Sequence, residues 1–275
     1  MTNFGQLFKQ MWSQKWKYLY LIFLINLFAV VFISVFALIT KNYNLFFFYS
    51  TDHDLGHFWQ SNFINLTMLF DLAFCATMCW QNEKINTSQT RHLIPVDDRK
   101  IYIANITSSL IACGVFFFLQ QVVNTILLIP TQGMQSLAYV FQGFGLYPRT
   151  FPGITNSSQT SFIFYWFFIV LIILSIYFFV SLINFVSKII SDELPFKSTL
   201  WIRLLIIAVL VITGVYLASI ILPHLENFID AKQRTLQIYD PVWLDDIFLV
   251  GINIIVGLLD LWLVKKWIEP KIVNR

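Results

Sequence analysis

This chain has little charge and none of the common catalytic motifs. Asp, Glu, Lys and Arg make up 12% of its residues, against about 25% in soluble domains. None of its 10 glycines precedes a lysine, so it has no phosphate-binding loop of the Walker A type. It also lacks the His-Glu-x-x-His pair of metalloproteases and the Gly-x-Ser-x-Gly elbow of hydrolases. We therefore expect no enzymatic activity and no cofactor bound by the chain itself.

Cysteine is also scarce. The chain has three cysteines, and all of them lie in apolar segments, so the sequence predicts no disulfide framework. Cys75 and Cys79 are one helical turn apart, a spacing that also occurs in metal or redox pairs. We favour the interpretation that they are small residues packed between helices.

Apolar residues dominate the composition. They make up 57% of the chain, and six stretches are long enough to cross a bilayer, for which about 20 apolar residues are needed. The sequence predicts an all-α integral membrane protein in which residues 1–275 form a single transmembrane domain. The six predicted spans are about Tyr18–Thr40, Phe58–Trp80, Ile101–Pro130, Phe162–Val186, Leu200–Leu222 and Leu244–Val264.

The basic residues indicate the orientation of these spans. Fourteen of the 18 Lys and Arg residues lie before span one, after spans two and four, or after span six. Basic residues are enriched in cytoplasmic loops. We therefore expect both termini and residues 81–100 in the cytoplasm of a bacterial cell, with the chain in its plasma membrane. The net charge of +3 reflects this sidedness, and we expect no nucleic-acid partner.

Three segments outside the spans have recognisable patterns. Residues 1–17 place apolar side chains at three- and four-residue intervals, which predicts an amphipathic helix in the bilayer interface. A frayed start of span one is the alternative. Residues 131–161 hold glycines and prolines among aromatic residues, so we expect an irregular extracellular segment. Residues 223–243 mix apolar and charged side chains, which predicts a short amphipathic extracellular piece.

Asp71 is the clearest ionisable residue inside a predicted span. A carboxylate there has to face protein, water or a partner. One interpretation is a pathway or proton-linked acid; the other is a structural group that bonds to Gln120, Gln121 or Asn124 in span three. No Lys or Arg is expected inside the membrane as its counter-ion.

Two further sets of polar residues have simple explanations. Asp260 lies near Lys265 and Lys266 at the end of span six, where snorkelling of the side chains accounts for it. His53 and His57 lie beside two carboxylates, Asp52 and Asp54. They are a weak candidate for a metal site, because a polar loop that enters span two is the more common explanation of such a run.

The polar run from Gln81 to Lys100 is more specific. In order, it holds Glu83, Thr87 and Thr90, Leu93-Ile94-Pro95-Val96 and Arg99-Lys100, and Ile101-Tyr102 then open the next span. This order resembles the first cytoplasmic loop of type-2 ABC transporter permeases, where an acid, a Thr, a Leu-rich turn, Pro-Val, basic residues and an aromatic follow one another. The layout of six spans, an amphipathic N-terminal helix and an outer segment between spans five and six is also similar.

The resemblance implies a coupling helix that docks on a separate cytoplasmic ATPase subunit. The implied contacts are Glu83, Thr87, Thr90, Arg91, Leu93, Pro95, Arg99 and Lys100. The chain departs from the family pattern at three places. Ile85-Asn86 stand where a glycine often precedes the Thr, Asn105 stands where a lysine is common, and Asp97-Asp98 make the turn more acidic.

From the resemblance we expect the permease subunit of an ATP-driven exporter. It would work as a homodimer, or as a heterodimer with a second permease, and ATP and Mg²⁺ would bind to the partner ATPase. The aromatic-rich spans suggest an amphipathic or lipophilic cargo such as a peptide, a drug or a lipid-like molecule. The alternatives are a non-transporting immunity, sensor or assembly protein, and an ion-coupled carrier that uses Asp71.

Overall fold

The structure is a computed structural model that describes residues 4–41, 55–86, 88, 96–132, 159–193, 200–236 and 242–267. Within these residues it contains six α-helices and no strand, which confirms the all-α prediction. The helices are α1 (Phe4–Thr40), α2 (Leu55–Asn86), α3 (Asp98–Gln132), α4 (Gln159–Glu193), α5 (Leu200–Leu236) and α6 (Val242–Trp267).

Five of the helices, α1 and α3 to α6, are long and apolar enough to cross a membrane, as judged from the described residues. This agrees with a multi-pass membrane protein. Helix α2 is not among the five. It carries polar residues such as Asn62, Thr67 and Asp71 among its apolar ones. A sixth span along α2 therefore stays a prediction.

Helix α1 joins the predicted interfacial segment and the first span without a break. Its 37 residues correspond to a length of about 55 Å, more than the hydrocarbon thickness of about 30 Å. The helix ends at Thr40, and Lys41 follows with a φ of 50°. This left-handed conformation is common directly after a helix. Its first half buries one stripe, formed by Leu7, Met11, Lys15 and Leu19.

The chain forms two compact units. The N-terminal unit comprises Asn3–Gln81 and Thr107–Thr150, and the C-terminal unit comprises Met1–Thr2, Asn82–Ile106 and Phe151–Arg275. Helices α2 and α3 therefore each contribute to both units.

Aromatic and aliphatic layers hold the N-terminal unit together. The rings of Phe74 and Phe116 stack with centroids 4.2 Å apart, and Phe23 meets Phe116 edge-on at 6.5 Å. Further along the helices, a separate cluster is formed by Val30, Ala37 and Leu66, against which the partly buried Leu27, Ala29, Ile33, Phe70 and Val123 pack. Burial of these apolar side chains joins α1, α2 and α3.

In the C-terminal unit, α4 packs against α6 and, less extensively, against α5. At the α4–α6 contact, a Cβ atom added to Gly257 would lie 3.2 Å from the Phe178 ring. The amide of Asn253 donates to the carbonyl of Leu171 at 3.1 Å, and its Oδ1 lies 3.0 Å from the hydroxyl of Ser175. Close packing and amide hydrogen bonds therefore hold these two helices together.

Two predicted extracellular segments overlap with helices. Helix α5 continues through Pro223 to Leu236, so the first part of residues 223–243 extends the fifth helix and does not form a separate short piece. Helix α3 continues to Gln132 and α4 begins at Gln159. The predicted irregular conformation of residues 131–161 falls mainly on residues 133–158, which lie outside the described part of the chain.

Candidate functional site

The polar run 81–100 has well-defined ends. On its C-terminal side Asp97 caps α3: its Oδ1 accepts a hydrogen bond from the backbone N–H of Arg99 at 3.0 Å, and its carbonyl accepts from the N–H of Lys100 at 2.8 Å. Asp98 adds a negative charge to the first turn, which the helix dipole favours. The two acids that depart from the family pattern therefore start a helix.

Asn105 connects the two ends of this run. Its Nδ2 donates to the carbonyl of Asn82 and to Oδ1 of Asn86, both at 3.1 Å. All three residues are buried, so these hydrogen bonds form away from water, where unpaired polar groups are costly. The last turn of α2 is thereby fixed to the second turn of α3.

Glu83, in the same last turn of α2, faces other helices. Its Oε1 accepts from the hydroxyl of Ser181 at 2.8 Å, and its Oε2 accepts from Nδ2 of Asn184, both on α4. The guanidinium of Arg203 at the start of α5 donates to Oδ1 of the same Asn184. One carboxylate therefore joins α2 to α4 and, through Asn184, to α5.

The surroundings of Glu83 act on its charge in opposite directions. Burial raises the pKa of this carboxyl above its ordinary value, while Ser181, Asn184 and the positive charge of Arg203 lower it. Glu83 lies beyond the predicted second span. The carboxylate is thus held among protein dipoles at the end of α2.

Asp260 on α6 joins the same group. The hydroxyl of Tyr102 donates to Asp260 Oδ2 at 2.6 Å, with Tyr102 2% exposed and Asp260 0% exposed. Ser181 lies beside both Tyr102 and Glu83. We call this set the Glu83 network: Glu83, Tyr102, Ser181, Asn184, Arg203 and Asp260. It brings side chains of α2 to α6 together within the C-terminal unit.

The snorkelling interpretation of Asp260 is wrong. Its carboxylate is fully buried against Tyr102, whereas Lys265 and Lys266 are exposed and the Lys266 ammonium lies 4.9 Å from the centre of the Trp262 ring. At about 100° per residue, a side chain five positions further along a helix is on a different face. Asp260 instead belongs to a buried stripe with Val256, Leu263 and Val264.

The other predicted coupling residues divide into two groups. Arg99 is partly buried and Lys100 is exposed, both in the first turn of α3. The remaining contacts lie outside the described residues: Thr87, Thr90, Arg91, Leu93 and Pro95. His53 and the side chain of His57 also lie outside them, and the described part of the chain contains no cluster of three or more His, Cys, Asp or Glu side chains that could hold a metal ion.

In the N-terminal unit, Asp71 lies beside Gln120, while Gln121 is partly buried and the side chain of Asn124 is not described. One basic residue of this unit is buried, although it lies before the first predicted span and is not described as a counter-ion of Asp71. Lys15 is 1% exposed, and its Nζ donates to Oγ of Ser108 at 2.7 Å. The four-residue spacing of Leu7, Met11 and Lys15 on one face was the pattern that could have revealed it.

The cysteines approach one another across helices. Sγ of Cys75 on α2 lies 3.9 Å from Sγ of Cys113 on α3, and all three cysteines are free thiols. This contact joins α2 to α3 through Cys75 and Cys113. This agrees with small residues packed between helices.

Comparison with known proteins gives no match to a family model, to a curated protein or to a solved structure. The interpretation of the site therefore depends on the chemistry and geometry of its own residues.

Proposed function

We propose that this chain is the membrane-spanning permease subunit of an ATP-driven exporter, and that a separate cytoplasmic ATPase supplies the energy. The observation that carries this proposal is the Glu83 network, in which a residue of the run 81–100 is bonded to α4. It is supported by the five apolar helices, by the cytoplasmic bias of the basic residues and by the residue order of the run.

The contacts of the run suggest how a push on it would be transmitted. Asn105 fixes α2 to α3 at the two ends of the run. Because Glu83 is bonded to Ser181 and Asn184, a displacement of the last turn of α2 would act on α4 and, through Arg203, on α5. Packed helices respond to such a displacement as rigid bodies.

This arrangement separates two roles. Leu93 and its neighbours in the run are the proposed docking contacts with the ATPase. Glu83, whose carboxylate is held by α4, is proposed as a positioning residue that links docking to helix movement. The cargo would be amphipathic or lipophilic, as the aromatic-rich spans suggest. A second permease, identical or related, would complete the transporter.

The test is purification of the tagged chain from its own membranes, followed by assay of ATP hydrolysis in lipid nanodiscs. The ATPase would be recognised as a co-purifying protein with a Walker A loop. Leu93→Ala is expected to lower the amount of retained ATPase severalfold. Glu83→Ala is expected to retain the ATPase but to lose most of the cargo-stimulated hydrolysis, and Glu83→Gln, which keeps one acceptor oxygen, should retain part of it. Lys84→Ala, an exposed neighbour, is the control.

Two outcomes contradict the proposal. If the wild-type chain retains no ATPase under conditions that preserve its fold, the exporter interpretation fails. If transport instead needs no ATPase and is lost in Asp71→Asn, the chain is an ion-coupled carrier. A contact protein would show no flux that depends on either set of residues.

A further inference from the structure

A second polar group lies in the N-terminal unit, and the pairing of its helices places three side chains at one level. Helices α1 and α3 run in the same direction: Lys15 meets Ser108 and, eight residues further on each helix, Phe23 meets Phe116. Asn26 lies three residues after Phe23 on α1, and Gln120 lies four residues after Phe116 on α3. They therefore lie about 5 Å further along the two axes.

Helix α2 runs in the opposite direction. Asn62 bonds to Ser34. Twelve residues later on α2, Phe74 stacks on the Phe116 ring, which also meets Phe23, eleven residues before Ser34 on α1. Asp71 precedes Phe74 by three residues, and Phe74 stacks on Phe116. Asp71 therefore lies on the same side of the aromatic layer as Gln120, which it contacts directly.

Apolar layers enclose this level on both sides. The rings of Phe23, Phe74 and Phe116 lie on one side, and the cluster that contains Val30 and Leu66 lies on the other. Polar groups between such layers have little access to bulk water, and hydrogen bonds or ions within the protein have to replace it.

The polar atoms at this level are incompletely paired within the described residues. Asn26 and Gln120 are each 0% exposed, and the oxygen and nitrogen of the Asn26 amide make no hydrogen bond there. The Gln120 side chain lies against Asp71, but neither of its amide atoms makes a hydrogen bond of ordinary geometry, and Oδ1 of Asp71 is buried without a partner. Buried amides and carboxylates are nearly always paired in folded proteins. Three incompletely paired groups on three neighbouring helices therefore indicate a shared ligand.

We propose that Asn26, Asp71 and Gln120 bind a monovalent metal cation, with sodium as the ligand to test first. The group offers one carboxylate and two amide oxygens, which are the donors that hard cations prefer. The choice of oxygen or nitrogen position in each amide is an assignment that a half-turn of the group exchanges. Both amides can therefore direct an oxygen towards the carboxylate.

The charge of the group determines whether a monovalent or a divalent cation fits it. Asp71 supplies a single negative charge, and a divalent ion would leave a positive charge among apolar layers. Lys15, the buried cation of this unit, lies eleven residues before Asn26, which corresponds to about 16 Å along α1, and it bonds to Ser108. A proton on Asp71 would neutralise the carboxylate but would leave the Asn26 amide unpaired, so a metal ion satisfies more of the group.

This site is separate from the Glu83 network, because all three residues belong to the N-terminal unit. A bound cation would connect α1, α2 and α3, and it would stabilise their packing whether or not an ATPase is present. The site therefore does not depend on the exporter proposal.

The experiment uses the purified full-length chain in lipid nanodiscs. Thermal unfolding is followed by tryptophan fluorescence while NaCl replaces choline chloride at constant ionic strength and pH. Sodium should raise Tm in a saturable way, because the ratio of folded to unfolded protein increases about tenfold when its concentration reaches nine times Kd. Potassium is measured in parallel for selectivity between monovalent ions.

Asp71→Asn should abolish the sodium response, and Asn26→Leu should weaken apparent sodium affinity at least tenfold. Asn65→Ala, which removes an exposed amide from the same helix as Asp71, should leave the response unchanged. Asp71→Asn keeps the shape of the side chain and removes a buried charge, so it should fold. Binding of radioactive sodium to the wild type, measured by equilibrium dialysis, gives a second measurement that does not depend on the variants.

Three results would overturn the proposal. The first is that sodium and choline stabilise the wild type equally, and the second is that the sodium response persists in Asp71→Asn. Stabilisation by a change of pH without any response to sodium or potassium would identify a proton as the ligand of Asp71.

Discussion

The hydrogen bond between Tyr102 and Asp260 offers a quantitative test of the Glu83 network. Replacing Tyr102 with Phe removes only the hydroxyl and preserves the ring that packs against Phe185 at a centroid distance of 6.1 Å. The Asp260 carboxylate would then lose the donor that bonds to its Oδ2 at 2.6 Å, and its Oδ1 already has no partner within the described residues. We expect Tyr102→Phe to destabilise the protein clearly.

The size of the effect follows from burial. Leaving a buried acceptor without its donor costs about 1 to 3 kcal/mol, whereas interhelical hydrogen bonds in membrane proteins average about 0.6 kcal/mol in double-mutant cycles. Asp260 is 0% exposed, and Tyr102 is 2% exposed. Water therefore cannot replace the lost donor without rearrangement, and we expect a coupling energy in the upper range.

The assay is a double-mutant cycle of Tyr102→Phe and Asp260→Leu. The free energy of unfolding is measured in mixed micelles with increasing SDS, followed by circular dichroism. Tyr102→Phe should cost about 1 to 3 kcal/mol in the wild type and close to nothing in Asp260→Leu. Tyr216→Phe, at an exposed position on α5, should have no measurable effect. A coupling energy at or below about 0.6 kcal/mol would refute a buried carboxylate stabilised by Tyr102.

Two further predictions test the packing of each unit. Mild oxidation should cross-link Cys75 to Cys113, whose Sγ atoms lie 3.9 Å apart. Peptide mapping should detect the bond in the wild type but in neither single Ser variant, and a bond from Cys79 to Cys75 or to Cys113 in its place would contradict the described Cys75–Cys113 contact. Gly257→Leu should lower stability by about 1 to 3 kcal/mol through overpacking against the ring 3.2 Å away. Gly251→Leu, where no atom lies within 4 Å, should have little effect on Tm, and equal losses in both would contradict the described α4–α6 contact.

The helices could be predicted from the sequence because the pattern that indicates each helix lies within that helix's own residues. Runs of about 20 apolar residues indicate spans whatever lies beside them. Each described helix overlaps one of the six predicted stretches, and five of these helices are long and apolar enough to cross a membrane. The first and last residues of each helix were harder to predict from the sequence. Polar residues continue α1 towards the N-terminus, and Pro223 does not end α5, since neighbouring backbone groups can absorb one missing N–H.

The partners of the charged residues could not be predicted. Asp260 bonds to Tyr102, which is 158 positions away, and Glu83 bonds to Ser181, which is 98 positions away. Single-sequence periodicity says which face of a helix is polar, but it does not say which helix faces it. Lys15 was missed for the same reason: its position on a buried stripe is local, but the Ser108 hydroxyl that makes its burial possible lies on α3.

The hydrogen bonds donated by the side-chain amide of Asn105 have an evolutionary consequence. Because Asn82 and Asn86 are fixed to the start of α3, the segment between these anchors closes a loop whose ends are already held together. Each doubling of the length of such a loop costs only about 0.6 kcal/mol of closure entropy. The segment can therefore change its sequence, or accept insertions, without unfolding the bundle. A lineage could exchange this surface for another, and so acquire a new soluble partner, while keeping its membrane helices.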